Sequence, residues 1–413
     1  MVGKAEVRGQ WRMVWVGMLV TLVAVGCARL AFGTVLPQMR RDLHLSYTQA
    51  GSLGTLTALG YLLLLLPAGL LARRWSNRGS VLLGLCLVTA GFLGLWQGHG
   101  LPLIQALMLL LGVGTAFVFT PLVALLTGWF PHQRGTVIGL ASSGVGLGLL
   151  LAGLLVPRLE HLFGPSSWRL VWAVYAGLGM LSVVLSVLVL RDPPRRQIQI
   201  TDEPTVEAAG TPPSSGLRVY LDPCVLRVGL GYGLGGFAYS IQVLFMLSYM
   251  LAQGVGSGVA GLLVSVNGLV SVFAGVGWGW LSDRLGRGPA MVLAAVLSLL
   301  ATLAPTLAPS LATFTVYWVV IGLTISGLFT LFQASGTEQV SRADVPLALS
   351  AITLFYALGQ LIGPALAGRV LDSAGGFRAT FLLTALALLL SAAVSLSIHH
   401  SARRDRRQSQ AKA

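Results

Sequence analysis

Charge is scarce in this chain of 413 residues. Only 10% of residues are charged, where soluble domains carry roughly 25%. Acidic residues number 13 against 27 Lys and Arg, and every acid lies between apolar runs or at their ends. That placement gives little support to a carboxylate relay inside a membrane. The six histidines (44, 99, 132, 161, 399 and 400) also fall between runs or at their ends. Cysteine is equally sparse. Cys27, Cys86 and Cys224 form an odd set without paired spacing, which argues against a disulfide framework or a thiolate metal centre. No G-x-x-x-x-G-K-S/T loop occurs, so nothing points to ATP as the driving force. The net charge of +14 sits in short scattered clusters and not in one stripe, which argues against nucleic acid as partner.

What fills the chain instead is apolar sequence. Hydrophobic residues make up 55%, and mean hydropathy is +0.81. Twelve runs are each long enough to cross a bilayer: 13–36, 50–72, 80–97, 103–129, 135–157, 168–190, 225–251, 257–281, 289–308, 311–334, 346–371 and 377–398. With the N-terminus inside, 20 Lys and Arg fall on the inner side and six on the outer (Arg40, Arg41, Arg158, Arg169, Arg369 and Arg378), leaving Arg29 within span 1. This bias predicts cytoplasmic termini. The segment 191–222 has linker chemistry, with Arg-Asp-Pro-Pro-Arg-Arg followed by Thr-Pro-Pro-Ser-Ser-Gly. The expected layout is a six-helix bundle over 1–190, a cytoplasmic linker over 191–222, a second six-helix bundle over 223–398 and a basic tail over 399–413. Two short patterns are decoys. Ala24–Cys27 mimics a lipoprotein cleavage box, yet eleven more spans follow it. Gly231–Gly236 mimics a dinucleotide loop, yet it has no preceding strand and no acid at the required distance.

The two halves carry the same loop. Gly69-Leu-Leu-Ala-Arg-Arg-Trp-Ser-Asn-Arg78 follows span 2, and Gly279-Trp-Leu-Ser-Asp-Arg-Leu-Gly-Arg-Gly288 follows span 8; the two align without gaps. A parallel repeat of six spans is a transporter architecture. At Gly279, Asp283, Arg284, Gly286 and Arg287 the chain resembles the major facilitator superfamily (MFS) and its G-x-L-A-D-R-x-G-R-R loop motif. The resemblance implies two pseudo-symmetric six-helix bundles working by alternating access. An acid at a helix end can hold a neighbouring helix N-terminus and a guanidinium. The expected latch therefore pairs Asp283 with the start of span 5 beside Arg134. In the first copy Arg73 stands at the acidic position and Ser76 at the glycine, and Asp344 is the candidate for the missing negative charge. The plain alternative is that Arg73, Arg74 and Arg78 only enforce topology.

Shorter matches are similar to the bacterial YbfB/YjiJ branch: Ala28-Arg29-Leu-Ala-Phe-Gly33 with Leu36-Pro37, Ser143–Gly148, Gly235–Tyr239 and Gly359–Pro364. Drug/proton antiporters of the superfamily usually carry an arginine four residues before a span-4 glycine and a Gly-Pro pair in span 5. Here Met108 precedes Gly112, and span 5 has no proline before Pro157. This weakens an efflux reading.

Arg29 is the leading candidate for substrate recognition. A charged arginine at mid-membrane costs about 2.5–3.5 kcal/mol even on lenient scales. An anionic substrate would offset that cost, and the planar guanidinium suits a carboxylate. Snorkelling to the outer surface, or bonding to backbone carbonyls, is the competing explanation. Tyr232, Tyr239 and Gln242 in span 7 share a helical face, as do Tyr356 and Gln360 in span 11, and Asn267 lies in span 8. Each serves equally well as a substrate ligand or a helix–helix hydrogen bond. Gly135/Gly139, Gly144/Gly148 and Gly359/Gly363 are small-xxx-small pairs that suit close helix approach, and Pro67, Pro121 and Pro364 are expected to bend their helices.

The expected protein is an all-α membrane protein with twelve transmembrane helices in the MFS fold. It needs no cofactor or metal, is not an enzyme and is monomeric in the bacterial inner membrane. The preferred function is secondary or facilitated transport of a small organic anion such as a monocarboxylate, with a proton or counter-anion as candidate co-substrate. The alternatives are proton-coupled efflux of lipophilic or cationic drugs and, more remotely, a membrane receptor or scaffold.

Overall fold

The computed structural model describes residues 4–130, 133–193, 217–338, 340, 344–373 and 375–412. His132 and linker residues 194–216 lie outside that set, as do the side chains of Arg73, Glu338 and the tail from 399 on.

Among the described residues all regular structure is helical. Span 1 is one continuous rod in three parts: α1 (Lys4–Thr21), a π-helical segment (Leu22–Leu30) and α2 (Phe32–Asp42). The next five spans are α3 (Tyr47–Arg74), α4 (Asn77–Gln97), α5 (Leu101–Trp129), α6 (Arg134–Phe163) and α7 (Trp168–Val189). A single turn, α8 (Leu217–Tyr220), precedes α9 (Pro223–Ala252), α10 (Ser257–Leu285), α11 (Arg287–Leu307), α12 (Leu311–Glu338), α13 (Val345–Asp372) and α14 (Gly376–Lys412). Eleven helices are long and apolar enough to cross a bilayer over their described residues. The 28-residue α3 is the remaining long helix and occupies the second position. At 1.5 Å per residue it reaches roughly 42 Å, beyond the ~30 Å hydrocarbon core. The protein has the twelve-helix fold expected from its apolar runs.

The helices start where polar side chains cap them. Ser46 and Gln49 form a reciprocal capping box at α3. Ser76 Oγ accepts from Gly79 N (2.8 Å) at α4. Asp222 accepts from Cys224 N (2.7 Å) and Val225 N (3.3 Å) at α9, with Pro223 in the first turn. The two copies of the repeated loop are built differently. Gly286 turns from α10 into α11 at φ +86°, a conformation that requires glycine. Its counterpart Ser76 is extended and caps with its hydroxyl, so the glycine missing from the first copy is not needed there.

The chain divides into two compact units. Unit 1 holds the described residues through 193 together with 256–272, and unit 2 holds 217–255 and those from 273 on. The first part of α10, to Val272, therefore packs with unit 1. The repeat is visible inside each unit. In unit 1, span 1 packs on α6, and α4 packs on α5 and α7; in unit 2, α9 packs on α13, and α11 packs on α12 and α14. In lipid such contacts rest on close packing and hydrogen bonds, because lipid tails are as apolar as the helix surfaces. Phe92, Trp172 and Tyr175 form a fully buried aromatic cluster in unit 1, with ring centroids 5.7 Å apart.

Glycines set several of these approaches. A Cβ on Gly144 would strike the Met18 carbonyl, and one on Gly26 would stand 2.9 Å from Gly148 Cα, so span 1 and α6 touch backbone to backbone. Gly146 and Gly153 do the same on the other side of α6, against Gly268 and Gly261 of α10. Gly359 and Gly363 press on Gly233 and Ser240 of α9. Gly135 and Gly139, which look equivalent in sequence, have nothing within 4 Å of an added Cβ.

Candidate functional site

In unit 1 the geometry centres on the π-helical segment. Its wider turn is closed by Ala31 N donating to Gly26 O (2.8 Å), five residues back, and the Thr115 hydroxyl of α5 donates to the Ala24 carbonyl (2.9 Å). Such segments are uncommon and concentrate at functional sites. Arg29 is the one charged residue in this segment and is half-buried. The guanidinium carbon lies 4.2 Å from the centroid of the Tyr61 ring of α3. Because the helix continues to Asp42 and does not end at Leu36, Arg29 sits roughly 20 Å from that helix end, deeper than the sequence suggests.

Tyr61 is held in place by its backbone. A Cβ on neighbouring Gly60 would collide with the Leu109 carbonyl of α5, and one on Gly112 would stand 2.9 Å from Tyr61 N. The α3 and α5 backbones are in direct contact at this level. A cation over an aromatic face gains about 0.5–2 kcal/mol, which offsets part of the cost of an arginine at this depth. A guanidinium carries its N–H donors in its own plane, in a fork that matches a carboxylate.

In unit 2 the structure brings together Tyr232, Tyr239, Tyr356 and Gln360. Tyr232 and Tyr356 stack at 4.5 Å with 16° between planes. Phe329 of α12 stands edge-on to Tyr356 (4.9 Å), Tyr239 (5.2 Å) and Tyr232 (5.8 Å). Gln333 Nε2 donates to the Tyr232 hydroxyl (3.0 Å), and Gln360 Nε2 donates to the Tyr356 hydroxyl (2.9 Å). Gln242 is placed apart from this group. Its amide donates to Thr302 Oγ1 of α11 (2.7 Å), and its Oε1 is buried without a partner among the described residues. Asn267 is buried on the part of α10 that packs in unit 1, two residues beyond Ser265, whose hydroxyl donates to Leu150 O (3.0 Å).

Sequence reasoning missed Tyr61, Phe329 and Gln333. Tyr61 was available as the aromatic residue inside span 2, but its pairing with Arg29 depends on how two helices are rotated. The motif residues are placed as follows. Asp283 is exposed, and Arg284 stacks on Trp280 at 4.0 Å. Gly279 has open space around it. Arg287 is half-buried at the start of α11, and Arg134 is exposed at the start of α6. Asp344 precedes α13, its carbonyl accepting from Ala348 N (3.0 Å).

At the opposite end of unit 1 a polar clasp joins four spans. Asp42 accepts from Trp168 Nε1 and Ser166 Oγ, both at 2.7 Å. Arg169 stacks on Trp168 and donates to Gly98 O (2.7 Å), and Arg41 pairs with Glu160.

Residues 21–396 match the family profile described as "Uncharacterised MFS-type transporter YbfB". Among curated relatives, Monocarboxylate transporter 12-B of Danio rerio is 23% identical over 361 residues, covering 80% of this chain and 75% of the relative. Monocarboxylate transporter 11 of Homo sapiens is 28% identical over 340 residues, covering 77% and 68%. Two solved structures show the same fold. One is an inward-facing, unoccupied bacterial homologue of the human lysosomal transporter Spinster (TM-score 0.75, 18% identity, covering 96% of this chain and 98% of that one). The other is the nucleoside transporter NupG (TM-score 0.73, 14% identity, covering 95% and 99%). With eleven helices long and apolar enough to cross a bilayer among the described residues, a repeated six-span plan and a profile match over nearly its whole length, the chain belongs to the YbfB-type family of MFS transporters and is a multi-pass membrane transporter.

Proposed function

We propose that this transporter carries a small organic anion of the monocarboxylate class across a bacterial inner membrane by alternating access, with both termini in the cytoplasm. The observation that carries the reading is Arg29, a guanidinium within the π-helical segment of span 1 whose carbon lies 4.2 Å from the centroid of the Tyr61 ring, a cation of the geometry that suits a carboxylate. The curated relatives named as monocarboxylate transporters support the same substrate class. In unit 2 the candidates for contact with the organic part of the substrate are Tyr232, Tyr239, Tyr356 and Gln360, with Gln242 and Asn267 as further polar positions. The proposed latch uses Gly279, Asp283, Arg284 and Arg287 with Arg134, and a charge-swapped counterpart uses Arg73 with Asp344. A proton or counter-anion is the proposed co-substrate, and the protein is proposed to act as a monomer.

Uptake of radiolabelled short monocarboxylates into proteoliposomes tests the reading. Wild-type protein should give saturable flux. Loss of a charge-assisted hydrogen bond is worth about 1.5–3 kcal/mol, so Arg29→Ala should weaken apparent affinity by roughly 10- to 150-fold. Flux of cationic or neutral compounds that is unchanged in Arg29→Ala, with no flux of monocarboxylates in wild type, would replace this reading with efflux.

A further inference from the structure

The end of unit 1 that carries the N-terminus holds a cavity of about 360 Å³ between α1, α5 and α7. Arg12, Arg191 and Gln10 supply its polar wall, and Met13, Leu188 and the Trp129 ring supply its apolar wall. Neither guanidinium has a side-chain partner among the described residues, and the two are exposed.

The wall carrying Arg191 is pre-set. The Arg191 carbonyl accepts from Trp129 Nε1 (2.7 Å). Pro193 lies over Gly128, where an added Cβ would meet it at 2.8 Å. Asp192, the acid next to Arg191 in sequence, is held at the head of α4, where it accepts from Arg78 N (3.0 Å). A third cation stands close by, because Arg78 Nη2 donates to Val187 O (2.7 Å). Three separate anchors thus fix the first residues after span 6, although their composition reads as linker. Fixing the backbone lowers the ordering cost of any ligand that Arg191 engages.

The cavity opens at the level of the membrane interface, since Trp129 and Val189 are the last residues of α5 and α7. Two arginines, an amide and an indole beside an apolar wall match a phosphate ester that bears acyl chains. We infer that this cavity binds the headgroup of an anionic phospholipid, with the phosphate between Arg12 and Arg191 and the apolar wall against the upper acyl chain. A soluble phosphate would share the arginine contacts but not the apolar wall. This inference does not depend on the transported substrate.

Native mass spectrometry of the full-length protein in detergent, with phosphatidylglycerol or phosphatidylcholine added, tests it. Wild type should retain phosphatidylglycerol in preference to phosphatidylcholine. Retention by the Arg12→Ala/Arg191→Ala double variant should be about 30-fold weaker, equivalent to about 1 kcal/mol per arginine. Arg74→Ala, which removes an exposed charge outside the cavity, should retain the lipid as wild type does. Phosphatidylglycerol should raise the melting temperature of the wild type, and inorganic phosphate should not. Equal retention of the two lipids, an unaffected double variant, an equal loss in Arg74→Ala, or an equal thermal shift with inorganic phosphate would each overturn the assignment.

Discussion

Arg29 and Tyr61 belong to different helices, and their stacking at 4.2 Å is the most informative pair of side chains in the molecule. If the ring steadies the cation, Tyr61→Phe keeps the aromatic face and should transport nearly as well as wild type. Tyr61→Leu removes about 0.5–2 kcal/mol of cation–π attraction and should raise the KM for the anion by roughly 2- to 30-fold. Equal behaviour of the two variants in uptake assays would show that the ring has no positioning role. Asp42 gives a second test at this scale. Burial pushes its carboxyl pKa up, but hydrogen bonds from Trp168 and Ser166 and the charges of Arg169 and His44 outweigh that, and the net shift is downward. A carboxylate whose pKa is lower folded than unfolded adds stability above the unfolded value of about 3.9, and that stability is lost as pH falls through the lower folded value. Thermal unfolding in detergent should therefore show a fall in melting temperature for wild type below about pH 4. Asp42→Asn should start lower at neutral pH and lack that part of the fall.

Helices meet in this protein through glycine, and the structure ranks glycines that the sequence leaves equal. Gly359 faces the Gly233 carbonyl and Gly144 the Met18 carbonyl, so an added methyl in either place has no flexible side chain to displace. Overpacking of this kind costs about 1–3 kcal/mol. Gly359→Ala and Gly144→Ala should accordingly melt at lower temperature than wild type. Gly139→Ala has open space and should leave stability unchanged or raise it by up to about 1 kcal/mol through helix propensity. Differential scanning fluorimetry of the three variants separates these outcomes. If Gly139→Ala were the most damaging, the described packing of α6 would be wrong. The π-helical segment is the element that sequence periodicity hides. Its residues Leu22–Leu30 read as ordinary apolar helix, and only the backbone bond from Ala31 N to Gly26 O, five residues back, reveals the wider turn.

Across the whole molecule the repeat governs both packing and the proposed latch. The same helix pairings recur in the two units, while the loop motif is intact only in the second. Charge exchange is the test at this scale. Asp344→Arg should reduce uptake, and adding Arg73→Asp should restore it. A double variant as inactive as the single one would show that the two positions do not interact, leaving Arg73 as a topology signal.

Membrane class, the order of the spans, the six-and-six repeat and the family were all legible in the linear order of residues. Hydropathy runs and the Gly279–Gly288 loop are local properties that survive without knowledge of any neighbour. The arginine at position 29 was legible for the same reason, since a cation inside an apolar run stands out by contrast. Its partner Tyr61, the seating of Arg191, the turn of Gln242 toward Thr302 and the separation of working glycines from idle ones were decided only in the folded molecule. Each depends on how far a helix is rotated about its axis and on which backbone lies beside it. When nearly every residue of a span is apolar, hydrophobic periodicity is too weak to encode that rotation.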